Sequence, residues 1–252
     1  MKASTARRRY LSDFFFFALI FAMSSVFVFA AALRITGFTA VHTAADTVET
    51  SPLVIVLDPG HGGEDGGASG ADGTVEKDLN LTVAKAVGDI LTAAGYDVRL
   101  TRTDDRLLYD LYGDLSDYTG HKKTYDLRNR LRFAREADAD LFVSIHMNKF
   151  PEEKYKGLQV YYSPGAAESQ TIADAVQNYA KLYLQKDNTR VTKRSSSAIY
   201  LLSRAEMPAI MIECGFLSNE AELQNLTDSV YQKQLALTIA AAIAESTGGI
   251  GA

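Results

Sequence analysis

Residues 53–63 read LVIVLDPGHGG: an apolar run from Leu53 to Leu57, then Asp58-Pro59-Gly60-His61-Gly62-Gly63, a turn carrying an imidazole. Consecutive apolar residues closed by Pro and Gly fit a strand buried on both faces, as in the parallel sheets of α/β proteins. The pattern downstream keeps that alternation. Leu79, Val83, Ala86, Val87, Ile90 and Leu91 recur at helical spacing and predict a helix over about 77–94, with Lys77, Lys85 and Asp89 toward water. Gly95 falls just past the last turn, where a left-handed residue commonly ends a helix. Further strands are expected at 96–101, 141–145 and 157–162, with two short ones near 199–202 and 209–213; helices are expected at 127–137, 167–184 and 231–245. Strands alternating with helices of this length predict a single α/β domain with a mainly parallel sheet flanked by helices on both faces.

The chain has 252 residues, 47% hydrophobic and 23% charged, which is enough apolar material for one sizeable core and an additional segment. Its formal charge of −5 gives no basic excess, so no nucleic-acid partner is expected. The single cysteine, Cys214, excludes an intramolecular disulfide framework.

At the N-terminus Arg7, Arg8 and Arg9 precede an uncharged apolar run from Phe14 to Leu33, roughly the 20 residues that span a bilayer as a helix. Residues 1–34 are therefore expected to be a cytoplasmic tail and an N-terminal membrane helix, a signal-anchor rather than a cleaved signal peptide. A secretory signal has a shorter apolar stretch of roughly 7–15 residues. Small residues at Ala30 to Ala32 and at Ala44 and Ala45 leave cleavage open. The Thr- and Ala-rich stretch 35–51 reads as a tether, and 52–247 as an extracytoplasmic catalytic domain, membrane-anchored or secreted in a bacterial envelope.

Open α/β sheets bind ligands outside the carboxyl ends of their strands, so the residues that follow each strand decide the chemistry. After the first strand comes His61, after the 141–145 strand His146, and at the end of the 209–213 strand Glu213. Glu76 begins the helix that leaves the same edge. Two imidazoles and a carboxylate form a ligand set of catalytic zinc sites, which keep a further position for water. On this reading His61, Glu76 and His146 hold one Zn²⁺ per chain and Glu213 acts as a base. Each residue has a plainer role when taken alone: a phosphate-cradling loop at His61, a core histidine at His146, an acid favoured by a helix N-terminus at Glu76, half an ion pair at Glu213. Neither a G-x-G-x-x-G spacing nor a Gly-Lys-Ser/Thr ending accompanies the His61 loop, and Glu64 and Asp65 would repel an anion. Convergence of all four on one edge favours the metal.

Three blocks, VIVLDPGHGGEDGGASGADGTVEKDLN at 54–80, DLFVSIHMN at 140–148 and PAIMIECGFLSN at 208–219, resemble the signatures of the type 3 zinc-dependent N-acetylmuramoyl-L-alanine amidases. The likeness runs over most of 52–246. It implies a mixed, mainly parallel six-stranded sheet, His61, Glu76 and His146 as zinc ligands, and Glu213 as the catalytic glutamate. The implied reaction is hydrolysis of the amide between N-acetylmuramic acid and L-alanine of the peptidoglycan stem peptide. Residues 104–125 and YDLRNRLRFAREADADLFVSIH most resemble the spore-cortex amidases of spore-forming bacteria, so cortex maturation is the expected setting, with an activating protein as a possible partner. The alternatives are a vegetative or cell-separation amidase and a catalytically silent envelope-binding regulator. Met147 and Lys149-Phe150 stand where the family more usually has small residues.

Among secondary candidates, Asn148 is placed to hydrogen-bond substrate, and Arg102 and Arg128 to meet stem-peptide carboxylates. The polar stretch 107–123 is read as a flap, a partner-docking loop or a tolerated insertion. A thiol mechanism with Cys214 as nucleophile and His146 as base is disfavoured, because neighbouring residues of a strand point to opposite faces and Glu213 claims the histidine side.

Overall fold

The computed structural model describes residues 51–248. The membrane segment and nearly all of the tether lie outside these residues, and no described helix is long and apolar enough to cross a membrane. In chain order the elements are β1 (Val54–Pro59), α1 (Glu76–Ala93), β2 (Asp97–Leu100), α2 (Lys122–Glu136), β3 (Leu141–Asn148), β4 (Gln159–Tyr162), α3 (Ala167–Tyr179), a π-helical turn (Ala180–Leu184), β5 (Lys193–Arg194), α4 (Tyr200–Arg204), β6 (Ala209–Phe216), α5 (Glu220–Thr227) and α6 (Ser229–Thr247). The strands form one six-stranded sheet in the order β2-β1-β3-β6-β4-β5. β1, β2, β3 and β6 run parallel, while β4 meets β6 antiparallel. The mixed six-stranded sheet expected for the fold is present.

Strand alternation divides the core. Ile55, Leu57, Leu141, Val143, Ile145, Ile210, Ile212 and Cys214 face one layer, where Leu79, Val83 and Leu91 of α1, Ile172 and Val176 of α3 and Leu235 and Ile239 of α6 cover them. Val56, Phe142, Ala209 and Met211 face the other layer, against Leu131 and Ala134 of α2 and Leu201 and Leu202 of α4. The same period of two sends His146 and Glu213 to the second face, opposite Cys214, and the β3–β6 register sets them side by side.

Three local readings are corrected. Residues 199–202 form the start of α4 rather than a strand; Leu201 and Leu202 are buried against α2, and so short an apolar run has no period that separates the two states. α5 was not expected, although Asn219 caps it by accepting a hydrogen bond from the Glu222 amide at 3.1 Å. β5 was also missed, since it is two exposed basic residues with no apolar signal. The helix expected over 167–184 holds, with its last five residues in π geometry. Gly95 ends α1 in the left-handed region at φ 96°.

Candidate metal centre at the carboxyl edge

His61 stands in a tight turn closed by two backbone hydrogen bonds between Gly62 and Asp65, of 2.9 and 3.0 Å. Its own φ of 61° is unusual for a residue with a side chain, so its surroundings must hold it there. Two buried arginines do this. Arg102 donates from Nε to the Pro59 carbonyl at 2.9 Å and from Nη2 to Gly60 at 3.0 Å and Lys77 at 2.8 Å. Arg130 donates from Nη1 to Pro59 at 2.9 Å and from Nη2 to the His61 carbonyl at 2.8 Å. Three successive carbonyls, of Pro59, Gly60 and His61, are thereby fixed by two guanidinium groups.

Arg130 is neutralised on both sides. It reaches Asp58 Oδ1 at 2.7 Å and Asp126 Oδ2 at 2.8 Å, and Arg130 and Asp58 are at most 1% exposed. Thr101 and Ser144 hydroxyls donate to the two Asp58 oxygens, each at 2.7 Å. Burial alone would raise the Asp58 pKa; the Arg130 charge and these hydrogen bonds outweigh it and hold the carboxyl below its ordinary value.

Glu76 is the first residue of α1 and is buried. Its Oε2 accepts from the Ala68 amide at 2.8 Å, and its Oε1 accepts from the Met147 amide at 3.2 Å. The same Oε1 lies 2.9 Å from His146 Nδ1 and 3.4 Å from His61 Nε2. Burial opposes ionisation here, but hydrogen bonds and charge from His146 and His61 win and hold the carboxyl far below its usual range. The two imidazoles sit edge to face with centroids 5.0 Å apart. One ligand atom from each of His61, Glu76 and His146 lies within 4.8 Å of the others. Gly60 makes this packing possible, since a Cβ there would come within 2.1 Å of the His146 ring.

Glu213 lies opposite His146 in the β3–β6 register. Its Oε2 is shielded from solvent and has no hydrogen-bond partner. Burial raises its pKa, partly offset by His146 and reinforced by the charge of Glu76. His61 Nδ1 is likewise without a well-aligned partner, although Asp65 Oδ1 is 3.0 Å away. Two imidazoles, a carboxylate and an orphaned buried carboxylate oxygen suit a divalent cation of zinc type, whose ligands are nitrogen and oxygen donors of this kind.

The secondary candidates divide. Arg102 is 1% exposed and engaged with backbone carbonyls, so it supports the His61 loop and does not face a ligand, correcting its expected role. Arg128 is exposed on α2, 5.6 Å from the Tyr125 ring centroid, with no contact to the cluster. Asn148 ends β3 on the same edge as His146, and its carbonyl accepts from the Leu217 amide at 2.8 Å. Cys214 is buried in the opposite core, and burial pushes its thiol up, away from nucleophilic form. The stretch at 107–123 is organised, since Leu108 is buried and Asp126 and Asn129 of α2 hold its backbone at 2.6 and 2.7 Å. Asp58 and Arg130 were missed because their contact joins positions 72 apart with no motif linking them.

The edge of this α/β sheet thus carries a candidate metal centre with a carboxylate beside it. The chain belongs to the N-acetylmuramoyl-L-alanine amidase family, whose sequence model matches residues 55–245. It is 38% identical over 189 residues, 75% of this chain and 77% of the relative, to the germination-specific N-acetylmuramoyl-L-alanine amidase of Bacillus subtilis. Among solved structures it resembles the CwlD amidase of Clostridioides difficile, in complex with the GerS lipoprotein, at 37% identity and a TM-score of 0.71 over 78% of this chain and 98% of that one. It also resembles the amidase AmiC2 of Nostoc punctiforme at 31% identity and a TM-score of 0.66, over 78% and 97% of the two chains.

Proposed function

We propose that the chain hydrolyses the amide between N-acetylmuramic acid and L-alanine in peptidoglycan, with one zinc held by His61, Glu76 and His146. The observation that carries this reading is the unpartnered Glu213 Oε2 beside the His–Glu–His cluster. When bound, zinc supplies Lewis acidity toward a carbonyl oxygen and toward water. Glu213 supplies the proton traffic: its unpartnered Oε2 beside the cluster is free to accept a proton from the attacking water and return it to the departing L-alanine amine. Glu76 would be the anionic member of the ligand set and lower the positive charge of the centre. Asn148, on the same edge, and the exposed Arg128 are the substrate-contact candidates.

The setting we infer is spore-cortex maturation, supported by the germination-specific relative. The relative whose structure is in complex with a lipoprotein supports an activating partner. The setting implies action outside the cytoplasm, with residues 1–34 read as a signal-anchor or a cleaved signal peptide. The test is metal analysis of the purified protein together with mass spectrometry of products from sacculi. Stoichiometric zinc and release of stem peptides bearing free L-alanine are expected. Metal-free protein with full activity would overturn the metal assignment, and zinc-loaded protein that releases no stem peptide would favour a silent envelope-binding module.

A further inference from the structure

We propose that the exposed rings of Phe150 and Tyr155, backed by the buried Phe216, form an aromatic shelf that binds sugar rings of the glycan strand, on one flank of the candidate metal centre. The proposal rests on the amidase reading and adds a direction to it, with glycan toward the shelf and stem peptide toward the opposite flank.

The shelf is continuous with the strands that carry the site. β3 passes His146 and delivers Lys149 and Phe150 to the carboxyl edge; β6 passes Glu213 and delivers Phe216, which pairs with Asn148. Phe150 and Tyr155 are 46% and 37% exposed, with ring centroids 4.8 Å apart and nearly perpendicular. Tyr155 is tilted 31° to the buried Phe216 with ring centroids 6.5 Å apart, and Phe216 in turn carries the Arg190 guanidinium 4.6 Å from its centroid. The loop is pinned at several points. The Phe150 amide donates to Ser218 Oγ at 3.1 Å, Asn219 Nδ2 donates to the Glu153 carbonyl at 2.7 Å, and Lys149 Nζ donates to the Ser69 carbonyl at 2.9 Å. Scattered single apolar side chains on a surface carry no message, but two exposed rings packed together just past the strand end that carries His146 do.

A pyranose shows C–H bonds on its faces, and the electron-rich face of an aromatic ring attracts them while both surfaces leave water. The opposite flank has other chemistry. A cavity of about 430 Å³ next to the His61 turn is lined by Glu64, Asp105, Arg106, Asp110 and Lys122, charges of both signs. Glu64 pairs with Lys122 at 3.0 Å and Asp105 with Lys77 at 2.7 Å, so this flank is a polar, charge-paired surface that suits a peptide better than the face of a sugar. The scissile bond joins a sugar to a peptide, and the two flanks divide accordingly.

The experiment compares the full-length chain with Phe150→Ala/Tyr155→Ala, Phe150→Tyr and, should the double variant misfold, the single Phe150→Ser. Calorimetric titration with peptide-free oligomers of the alternating glycan measures sugar binding independently of catalysis. Hydrolysis is measured on polymeric glycan and on a single N-acetylmuramoyl peptide. Losing the rings is expected to weaken oligomer binding about tenfold and to raise KM on the polymer with kcat retained. The short substrate, with its single sugar, should lose less than the polymer, and Phe150→Tyr, which keeps a ring, should retain oligomer binding. Unchanged oligomer binding, equal losses on both substrates, or loss only of stimulation by a protein partner would overturn the proposal. Oligomer binding that depends on the rings, in a protein that releases no stem peptide, would instead remove the amidase reading and leave the shelf.

Discussion

Replacing Arg130 with methionine tests what holds the His61 loop. The side chain is 1% exposed and its guanidinium meets Asp58, Asp126 and the carbonyls of Pro59 and His61. Methionine fills similar volume but leaves two buried carboxylates without a counter-charge. Breaking a buried pair in this way typically costs about 3–5 kcal/mol. For a domain of this size that is a fall in Tm of roughly 6–20 °C. Urea and thermal unfolding in the presence of chelator read the effect without help from bound metal. Arg130→Lys should be intermediate, because an ammonium keeps the charge but not the planar fork. Asp58→Asn combined with Arg130→Met should cost less than the sum of the single changes, since each removes the reason for the other's penalty. An Arg130→Met protein within about 1 kcal/mol of wild type would refute the account, because no such buried pair could then be uncompensated.

Because the Asp58 carboxyl is held below its ordinary 3.8, its contribution to stability is present above that value and is lost as pH falls below it. Unfolding scans between pH 6 and about pH 2 should show this acid loss in wild type and much less of it in Asp58→Asn. Glu213→Gln should retain zinc yet lose activity on the order of a hundredfold or more, read by metal analysis and product release side by side; near-normal turnover would remove Glu213 from the chemistry. Gly60→Ala places a methyl 2.1 Å from the His146 ring and should weaken zinc affinity by about tenfold or more, measured by competition with a chelating dye. Alkylation under native conditions should leave activity intact because Cys214 is buried, and inactivation that tracks Cys214 modification would reopen thiol chemistry.

What was legible in the sequence follows from how each feature is encoded. β1, α1 and β3 announce themselves by period, and with them come His61, Glu76 and His146, since the ends of strands in a parallel sheet are brought to one edge by topology alone. Glu213 is legible for the same reason, and the face it shares with His146 follows from counting by two along β6. α4 was misread because Leu201 and Leu202 satisfy a helix and a strand equally well. β5 has no signal, as its two residues are exposed and basic and are held by pairing with β4.

Arg102 shows a different limit. An arginine just after a strand at the ligand edge looks the same in sequence whether it faces a carboxylate of the substrate or the backbone of its own loop. The loop decides, because Pro59, Gly60 and His61 turn three carbonyls inward where no strand can pair them, and buried carbonyls without donors are costly. Arg102 and Arg130 satisfy all three, and the left-handed His61 is held as a result. The centre is therefore supported from below by charge buried among acids and carbonyls. Its candidate ligands are set by the sheet edge and its support by two arginines that no motif marks. A variant such as Arg102→Met should then lower zinc affinity without touching any ligand, while Arg128→Met, on the exposed face of α2, should not. Equal zinc affinity in the two variants would show that the turn keeps its shape unaided.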